Sequence, residues 1–590
     1  MPDSIAKRLL DRADREPERV AVHILRSASR KTFRDERVTF AEWARGAGTC
    51  AAALVKNGLG HGDRVLLCVP TGRAFLDGFL GASSIGAVPV PLPSLDGFAR
   101  PAAFVNRLAS VVRDAAPSAV FADRRTAAHL RESGLLAPKL PVIEPRTLED
   151  ADPPAAGHPA AGDETALVQY TSGSTGMPRG VVITAGNLAA NVDAMGKALR
   201  LTHEDRVVSW LPLYHDMGLI GGLLAPLAHG AVCWLLSPLE FMLRPASWMQ
   251  AVSDARATLT VAPNFAYGLL ARKVSDEDLR GFDLSSLRAA INGAEPVDPG
   301  TAEAFCKRLA PMGFRASSYF PVYGLAECTL AAAFPPLGRG VKIDHVLRDE
   351  LANGSAVPAP AGPATIPVVS VGPAIEGHEI TIVSVSQDHT PLPERKLGQI
   401  WIRGPSISPW YFEQHHVVPE RRTSLRTGDV GYLADGELYV VDRLKDLVIV
   451  AGRSYSPSDI ERAAEEVPGV RAGRSVAFGV ADPELGTESL VLLAEVQPRS
   501  PADLLELSEV VRATVAEQIG LSPKEICLLK PGSLARTSSG KLMRRDARDR
   551  YLSGRLNGTE ALQVPFPLRL VDAARGALAR FVARRRMSEG

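Results

Sequence analysis

The chain has 590 residues, too many for one hydrophobic core, so its length predicts two to four domains. It is 46% hydrophobic and 23% charged, which is typical of soluble globular proteins, and its net charge of +1 argues against a dedicated nucleic-acid binder. The N-terminus lacks an apolar signal core, and no apolar run reaches the ~18 residues that a transmembrane segment needs. The six cysteines are dispersed without a Cys-x-x-Cys pair, which favours reduced cysteines in a cytoplasmic protein.

The first part of the chain alternates helical and strand-like segments. Residues 20–25, 65–69 and 119–123 have the apolar runs of buried strands, and residues 75–87 have the pattern of a helix. Such alternation is typical of a layered α/β domain with a largely parallel sheet. Residues 151–163 are rich in Ala, Pro and Gly and predict a linker.

Residues 170–180 read Tyr-Thr-Ser-Gly-Ser-Thr-Gly-Met-Pro-Arg-Gly and lie between two strand-like runs. Glycines let the backbone approach a ligand closely, and successive N–H groups then form a concavity that suits an anion. Ser and Thr hydroxyls add neutral donors, while Arg179 adds a planar cation suited to phosphate. The spacing is not that of the Walker motif. A surface turn is the alternative, but the segment favours a loop that holds a polyphosphate.

His215 and Asp216 precede an apolar segment and follow Trp210 and Tyr214. Because no nucleophile lies nearby in the sequence, we expect His215 to be a packed, hydrogen-bonded gate residue rather than an acid–base catalyst. The surrounding Trp, Tyr, Met and Leu residues, including Met217, predict the wall of an apolar substrate pocket.

Two further segments carry residues suited to a nucleotide. A strand predicted at 287–292 runs into Gly293, Ala294 and Glu295, and ligands collect at the carboxyl ends of parallel strands. Tyr323 offers a ring able to stack on a base, and Glu327 offers a carboxylate for Mg²⁺ bridging phosphates. Core packing and a solvated carboxylate are the alternatives for each motif taken alone.

The last motifs lie around a turn and in a small α+β domain predicted at 447–552. Asp429 is a candidate acceptor for both hydroxyls of a ribose. Residues 442–446 contain four charges, which predict either a solvated turn or an interdomain hinge. Lys541 follows a flexible turn of Ser and Gly residues.

In this order, the motifs resemble those of the adenylate-forming superfamily of acyl-CoA ligases, peptide-synthetase adenylation domains and luciferases. The resemblance covers roughly residues 5–553. It implies an α/β fold with a large N-terminal domain of layered α/β subdomains and a small mobile C-terminal α+β domain. The implied boundaries are 1–442 for the large domain, 443–446 for the hinge, 447–553 for the small domain and 554–590 for a basic helical tail.

The resemblance also implies ATP and Mg²⁺ as cofactors. Glu327 resembles the magnesium carboxylate and is expected to act in catalysis with Thr171, and Lys445 resembles the hinge residue. Lys541 resembles the lysine that bridges the acyl carboxylate and the α-phosphate. Arg179 departs from the usual Lys of the loop, which keeps the charge but changes its geometry. The implied nucleotide-binding residues are Thr171, Ser172, Gly173, Ser174, Thr175, Gly176, Arg179, Gly293, Ala294, Glu295, Tyr323, Gly324, Asp429 and Arg443.

Within the superfamily, the motifs at 211–221, 292–297 and 324–327 are similar to those of fatty acyl-AMP ligases, as is the long segment 342–372. In that family an insertion there is thought to exclude coenzyme A. The resemblance therefore implies that a fatty acid is activated for an acyl carrier protein, or for the carrier domain of a polyketide or peptide synthase. The chain has no carrier motif, so this partner is expected to be separate. Residues 408–411 and the stretch to Arg422 depart from the family pattern.

Two alternatives stay open at this stage. One is a fatty or aryl acyl-CoA ligase, and the other is a nucleotide-binding scaffold without activity, against which Lys541, Glu327 and Asp429 count. In the tail, Leu570 and Leu578 fall at helical spacing beside several arginines. This pattern predicts a helix packed on the small domain, or a basic helix that docks an acidic carrier or a membrane surface.

Overall fold

The computed structural model describes residues 4–29, 32–95, 101–145, 157–171, 179–385, 389–413, 416–417, 422–450, 453–482, 487–497, 500–536 and 542–556. The chain forms two compact units. The large unit contains Met1–Val346 and Pro367–Val441, and the small unit contains Leu347–Ile366 and Asp442–Gly590. Part of the predicted linker, 151–156, and the tail from 557 onward lie outside the described residues.

A seven-stranded sheet lies at the centre of the large unit. All neighbouring strands are parallel except the last pair, which is antiparallel. The strands are largely buried apolar runs, which fits a sheet covered on both faces. In spatial order they are Tyr319–Pro321, Ala289–Gly293, Leu259–Pro263, Arg206–Ser209, Val232–Leu236, Val20–Ser27 and Phe33–Thr39.

Two four-stranded sheets come from the segments before and around residues 170–180. The first is parallel and contains the strands predicted near 65 and 119; its members are Val88–Pro91, Arg64–Cys68, Ala119–Ala122 and Val142–Ile143. The second is antiparallel and contains His416–Val417, Tyr411–Glu413, Arg179–Thr184 and Thr165–Thr171. The two strands predicted to flank the loop are therefore confirmed.

A further four-stranded sheet holds the segment around Asp429. Its strands are Glu379–Val383, Gly398–Arg403, Ser424–Ala434 and Glu437–Arg443. The last two are joined at Asp435 and Gly436, whose φ angles of 54° and 73° are the positive values that a tight hairpin turn requires. Four short strands complete the set: Tyr323–Gly324, Ala331–Ala333, Ile343–Leu347 and Thr365–Val369.

Several helices of the large unit begin at polar caps. Thr39 and Glu42 form a capping box at the start of one helix, and Thr184 and Asn187 form another. The helix predicted at 75–87 extends from Arg73 to Ser84. The α-helices are Ile5–Arg15, Phe40–Lys56, Arg73–Ser84, Pro101–Ala115, Arg124–Glu132, Ala185–Ala198, Ala225–Ala228, Pro238–Leu243, Ala246–Asp254, Asn264–Lys273, Asp276–Leu279 and Pro299–Leu309.

The small unit is an α+β structure with its own core. Strands Val470–Asp482 and Thr487–Val496 are antiparallel, and Glu525–Leu529 joins the second in parallel. Two short antiparallel strands, Val448–Val450 and Arg453–Tyr455, form a second sheet that packs on the same core. Buried Leu492, Val511 and Ile460 belong to one apolar cluster between strands and helices. The helices are Arg348–Ala352, Pro457–Glu465, Pro501–Ile519 and Arg544–Leu552.

One partly buried ion cluster connects the last helix of the small unit to the rest of its fold. The Arg544 guanidinium binds both Glu461 oxygens, at 2.8 and 3.0 Å from Nη2, and contacts Asp446 at 3.2 Å. Burial raises the pKa of the Glu461 carboxyl, and the charge of Arg544 opposes that rise. Across the described residues, no helix is both long enough and apolar enough to cross a membrane.

Candidate active site

The carboxyl ends of neighbouring parallel strands carry several of the predicted site residues. Four strands, ending at Ser209, Pro263, Gly293 and Pro321, run in the same direction in the seven-stranded sheet. The segments that follow them leave the sheet at one edge, where ligands bind in open α/β folds. Residues 215–217, 293–295 and 323–327 lie in these segments.

Gly293 ends its strand where the backbone must pass close to Val322. A Cβ at Gly293 would lie 2.7 Å from Cγ2 of Val322, too close for any side chain. Ala294 follows with a φ of 69°, an uncommon value for alanine that is often found at functional sites. The Glu295 carboxylate accepts a 2.6 Å hydrogen bond from the backbone N–H of Phe265, in the first turn of helix Asn264–Lys273. These contacts fix the turn on which a nucleotide is expected.

His215 is oriented by hydrogen bonds, as expected from the sequence. Its Nδ1 lies 2.6 Å from Oδ1 of Asp216, and the same oxygen accepts from the backbone N–H of Met217 at 2.7 Å. Asp216 thereby caps a π-helix, Met217–Leu224, an element that is frequent at functional sites. The Gln169 side-chain amide donates to the Tyr214 carbonyl at 2.7 Å and so links this segment to the strand before the 170–180 loop.

Trp210 lies in a packed aromatic cluster. Its ring stacks on Phe241 with centroids 3.8 Å apart, and Trp248 and Phe265 contact it edge-on. Only 4% of Trp210 is exposed, so this residue supports the segment before His215 from within the core. The lining role that the sequence predicts for the residues around His215 stays a prediction.

Tyr323 and Asp429 are joined directly. The Tyr323 hydroxyl donates to Oδ2 of Asp429 at 2.6 Å. The backbone N–H of Asp429 donates to the Thr427 hydroxyl at 3.0 Å, and that hydroxyl donates to the Ile400 carbonyl at 2.9 Å. The backbone of Asp429 is therefore held within its antiparallel sheet. Its carboxylate contacts Tyr323, which follows the last of the parallel strands.

Gly324 occupies a position that only glycine fits. A Cβ there would lie 1.9 Å from the carbonyl oxygen of Leu330, which belongs to the backbone and cannot rotate away. The backbone at this point can consequently lie close to a ligand as well.

Glu327 lies in the 3₁₀ turn Ala326–Cys328, which is held from two sides. The Tyr411 hydroxyl donates to Oε1 of Glu327 at 3.0 Å, and the Glu327 carbonyl accepts from the backbone N–H of Ser408 at 2.8 Å. Burial raises the pKa of the Tyr411 hydroxyl, and the Glu327 charge raises it further. The hydroxyl consequently stays protonated and remains a donor to the carboxylate.

A buried polar network supports the same turn. Thr329 has a φ of 64°, and its hydroxyl donates to the Ser406 carbonyl at 2.7 Å. The Asn191 side chain exchanges 2.9 Å hydrogen bonds with the backbone of Ala331 and donates to the Ser406 hydroxyl at 2.9 Å. The strained residue after Glu327 is thus held by its surroundings, as backbone strain at functional sites requires.

The ends of the predicted polyphosphate loop face each other in the antiparallel ladder. Thr171 pairs with Arg179, and the Tyr170 hydroxyl donates to Asp114 at 2.6 Å. The Arg179 guanidinium lies 5.4 Å from the centre of the Tyr411 ring. The loop residues predicted to bind phosphate, Ser172, Gly173, Ser174, Thr175 and Gly176, lie outside the described residues.

The predicted hinge residues lie at the start of the small unit. The Asp442 carboxylate accepts from the backbone N–H of Arg443 at 2.7 Å and from the Ser456 hydroxyl at 2.6 Å. Arg443 and Lys445 precede Asp446, which belongs to the Arg544 ion cluster. Lys541 lies outside the described residues, shortly before the helix that begins at Arg544.

Sequence reasoning missed Tyr411 and Arg422. Both lie in the stretch that departs from the expected family pattern, so no motif marked them. The Arg422 guanidinium lies 4.0 Å from the centre of the Tyr411 ring, and its backbone N–H donates to the Pro409 carbonyl at 2.7 Å. The only signal in the sequence was that residues 408–411 and the stretch to Arg422 differ from the family pattern.

The sequence profile of AMP-binding enzymes matches residues 9–412, more than half of the chain. This chain belongs to the AMP-binding enzyme family. This AMP-binding enzyme is 34% identical over 529 residues to the medium-chain-fatty-acid–acyl-carrier-protein ligase JamA of Moorena producens, covering 85% of this chain and 87% of JamA. It is 33% identical to the long-chain-fatty-acid–AMP ligase FadD26 of Mycobacterium marinum, covering 94% of this chain and 98% of FadD26.

A solved structure from a study of fatty acyl-adenylate ligases of E. coli and L. pneumophila is also similar to this AMP-binding enzyme. The two share 32% identity with a TM-score of 0.85, covering 94% of this chain and 99% of the other. The expected adenylate-forming α/β fold is therefore confirmed, as is the resemblance to fatty acyl-AMP ligases. An enzyme of this family uses ATP.

Proposed function

We propose that this chain activates a fatty acid carboxylate with ATP, forming acyl-AMP and pyrophosphate. The acyl group then passes to the phosphopantetheine thiol of a separate acyl carrier protein or synthase carrier domain. The observation that carries the proposal is the arrangement of Tyr323, Glu327 and Asp429. Tyr323 is hydrogen-bonded to Asp429. Glu327 is hydrogen-bonded to Tyr411, whose ring lies 5.4 Å from the Arg179 guanidinium at the end of a loop strand. JamA, named as a ligase of fatty acids and acyl carrier protein, supports the identity of the acceptor.

The nucleotide would lie along the carboxyl edge of the seven-stranded sheet. Gly293, Ala294 and Glu295 form a tight turn that offers a shelf for adenine, with Tyr323 beside it. Asp429, which accepts a hydrogen bond from Tyr323, is proposed to accept hydrogen bonds from ribose hydroxyls as well, since a carboxylate has about four lone-pair sites. Arg443 is proposed as the second ribose contact. Residues 171–176 and Arg179 would hold the polyphosphate.

Mg²⁺ fits the residues around Glu327. Among the described residues, no group of three or more His, Cys, Asp and Glu side chains converges as a protein-only metal site. A single carboxylate beside a polyphosphate loop suits Mg²⁺, which usually takes one or two carboxylates together with substrate oxygens. When bound, the ion would neutralise phosphate charge. Tyr411 holds the Glu327 carboxylate at the required position by its 3.0 Å hydrogen bond.

The chemistry needs positioning and charge neutralisation rather than a covalent enzyme intermediate. A fatty acid carboxylate oxygen forms a bond to the α-phosphorus, and the bond from that phosphorus to the pyrophosphate oxygen breaks. Lys541 is proposed to bridge the carboxylate and the α-phosphate, where negative charge accumulates. In the second step the thiol sulfur attacks the acyl carbonyl carbon, and AMP leaves.

Closure of the small domain about Lys445 would bring Lys541 to the site. We infer boundaries of 1–442, 443–446 and 447–553 for the large domain, the hinge and the small domain. Exclusion of water on closure would protect the mixed anhydride from hydrolysis. His215, Asp216 and Met217 would stand at the entrance to the acyl pocket, with His215 fixed by the carboxylate beside it. All six cysteines are free, which supports a reducing compartment such as the cytoplasm.

The adenylation half-reaction is tested by fatty-acid-dependent exchange of labelled pyrophosphate into ATP. We expect exchange with medium- or long-chain fatty acids and a loss of about 100-fold or more in Lys541→Ala, as for removal of a group that neutralises developing charge. Lys530→Ala, an exposed lysine of the same unit, serves as the matched control and should retain the wild-type rate. Unchanged exchange in Lys541→Ala would remove the role assigned to that lysine.

A further inference from the structure

Two guanidinium groups lie over one tyrosine ring beside the polyphosphate loop. The centre of the Tyr411 ring is 4.0 Å from the Arg422 guanidinium carbon and 5.4 Å from that of Arg179. Tyr411 pairs with Val181 in the antiparallel ladder, next to the strand end at which Arg179 closes the loop. A part of the chain distant in sequence thus adds a second arginine at the loop.

The same tyrosine also contacts the proposed metal carboxylate. Its hydroxyl donates to Oε1 of Glu327 at 3.0 Å, and its ring makes cation–π contacts with Arg179 and Arg422. The four side chains carry two permanent positive charges and one carboxylate, so the cluster has a net charge of +1. A net positive cluster at a polyphosphate loop attracts a multiply charged anion.

Arg422 has a buried donor without a hydrogen-bond acceptor. Within the described part of the chain, Nη2 of Arg422 is buried and makes no hydrogen bond. Leaving a buried charged donor unsatisfied is costly, and such a group in a folded protein calls for an explanation such as an absent ion or ligand. The Arg422 guanidinium carbon lies 4.0 Å from the centre of the Tyr411 ring, and a planar, permanently charged N–H fork suits a phosphate anion.

We propose that Arg422 binds the β- and γ-phosphates of ATP and the departing pyrophosphate, with Tyr411 as the positioning residue for this arginine. The inference rests on the proposed function and adds a phosphate contact outside the loop motif. When the acyl oxygen attacks the α-phosphorus, the electron pair of the breaking bond moves to the oxygen that bridged the α- and β-phosphates, which leaves as a terminal oxygen of pyrophosphate. Arg422 stabilises that developing charge and requires no proton transfer.

The test compares binding of ATP, inorganic pyrophosphate and AMP by calorimetry in the full-length wild type, Arg422→Ala and Arg422→Lys. Arg422→Ala should weaken ATP and pyrophosphate binding about tenfold or more, the loss typical of one charge-assisted contact, and leave AMP binding within about twofold. The affinities of Arg422→Lys for ATP and pyrophosphate should lie between those of the wild type and Arg422→Ala, because lysine keeps the charge but not the planar fork. Arg244→Ala, an arginine over the Phe33 ring at 5.8 Å, is the matched control and should bind all three ligands normally.

Tyrosine variants separate positioning from general damage. Tyr411→Phe keeps the ring beside Arg422 and deletes only the hydroxyl that donates to Glu327, so it should weaken pyrophosphate binding less than Arg422→Ala does. Tyr411→Leu removes the ring as well and should weaken pyrophosphate binding as much as Arg422→Ala does. Equal weakening of ATP and AMP in Arg422→Ala, or unchanged pyrophosphate binding, would overturn the proposal. The two claims fail separately. If the wild type shows no fatty-acid-dependent exchange of pyrophosphate, the proposed function is wrong. The assignment of Arg422 is then still decided by the affinities for ATP, pyrophosphate and AMP.

Discussion

The Tyr323 hydroxyl lies 2.6 Å from Oδ2 of Asp429, across 106 residues of sequence. This hydrogen bond connects the carboxyl edge of the parallel sheet to the antiparallel sheet that follows it. One end of the bond is the aromatic residue proposed to face adenine, and the other is the carboxylate proposed to bind ribose. The hydrogen bond therefore couples two parts of the proposed nucleotide site.

Removing this hydroxyl should weaken nucleotide binding without unfolding the chain. Tyr323→Phe keeps the ring and deletes the donor to Asp429, so we expect the KM for ATP to rise about tenfold, since a hydrogen bond to a charged group contributes about 1.5–3 kcal/mol. The KM for the fatty acid should stay unchanged. Steady-state kinetics in ATP and fatty acid measure both values.

Tyr432→Phe is the control for Tyr323→Phe. Its hydroxyl makes the same kind of bond, 2.9 Å to Asp344, but it has no assigned role at the site. Equal effects of the two substitutions on the KM for ATP would show that the loss comes from general weakening of the sheet.

His215 should affect substrate binding more than the chemical step. Because its ring is fixed by Asp216 and has no assigned proton to transfer, His215→Ala should raise the KM for the fatty acid about tenfold and change kcat by less than about threefold. The exposed His203 provides the control substitution, His203→Ala. A fall in kcat of about 100-fold, with a changed pH profile, would instead identify His215 as an acid–base catalyst.

The Arg544 cluster should dominate the stability of the small unit. Arg544→Ala leaves the Glu461 and Asp446 carboxylates without their cation. The three side chains are 15–22% exposed, so the loss of stability should lie below the roughly 3–5 kcal/mol that removing one partner of a fully buried ion pair costs. We expect faster amide hydrogen exchange throughout helix Pro457–Glu465, which carries Glu461. Arg545, the next residue, is exposed and lies 3.8 Å from the equally exposed Asp549, so Arg545→Ala should leave exchange unchanged. Wild-type exchange in Arg544→Ala would contradict the stabilising role of the cluster.

His378 should make the stability of the large unit depend on pH. Burial lowers the pKa of His378, whose Nδ1 lies 3.0 Å from the Glu376 carbonyl and whose Nε2 contacts the Ser406 hydroxyl. Cys328, which also contacts Ser406, stays a thiol because burial raises its pKa to about 12. The folded chain thus binds a proton at His378 less readily than the unfolded chain.

The contribution of His378 is complete above its ordinary pKa of about 6.5 and is lost as the pH falls below that value. Urea unfolding between pH 8 and pH 5 should show a smaller fall in the free energy of unfolding for His378→Gln than for the wild type. His158→Gln, at an exposed histidine, should follow the wild-type curve. Parallel curves for His378→Gln and the wild type would refute the assignment.

Local patterns were enough to predict the parts of the site that each come from one segment. The loop between two strands and the turn after residues 289–293 follow from runs of apolar residues that end at Gly, Ser or Thr. Glycine was informative at Gly293 because the Val322 side chain leaves no room for a Cβ there. These features depend on neighbours along the chain, so the sequence alone contains them.

Contacts between distant segments were not predictable from the sequence. Tyr411 reaches Glu327 because its short strand pairs with Arg179–Thr184, a register that no local pattern specifies. The same limit applies to residues 342–372, which the sequence analysis treated as one continuous segment. In the structure 347–366 belong to the small unit, where Asp349 pairs with Arg453 at 2.5 Å.

The most direct test of the central claim is a competition between acceptors for the acyl group. The wild-type chain would be supplied with a fatty acid, ATP and Mg²⁺, together with equal concentrations of coenzyme A and a phosphopantetheinylated acyl carrier protein. Mass spectrometry would then quantify acyl-AMP, acyl-CoA and the acylated carrier. We predict acyl-AMP and acyl-carrier thioester with little acyl-CoA. Acyl-CoA as the main product would contradict the account and identify the chain as an acyl-CoA ligase.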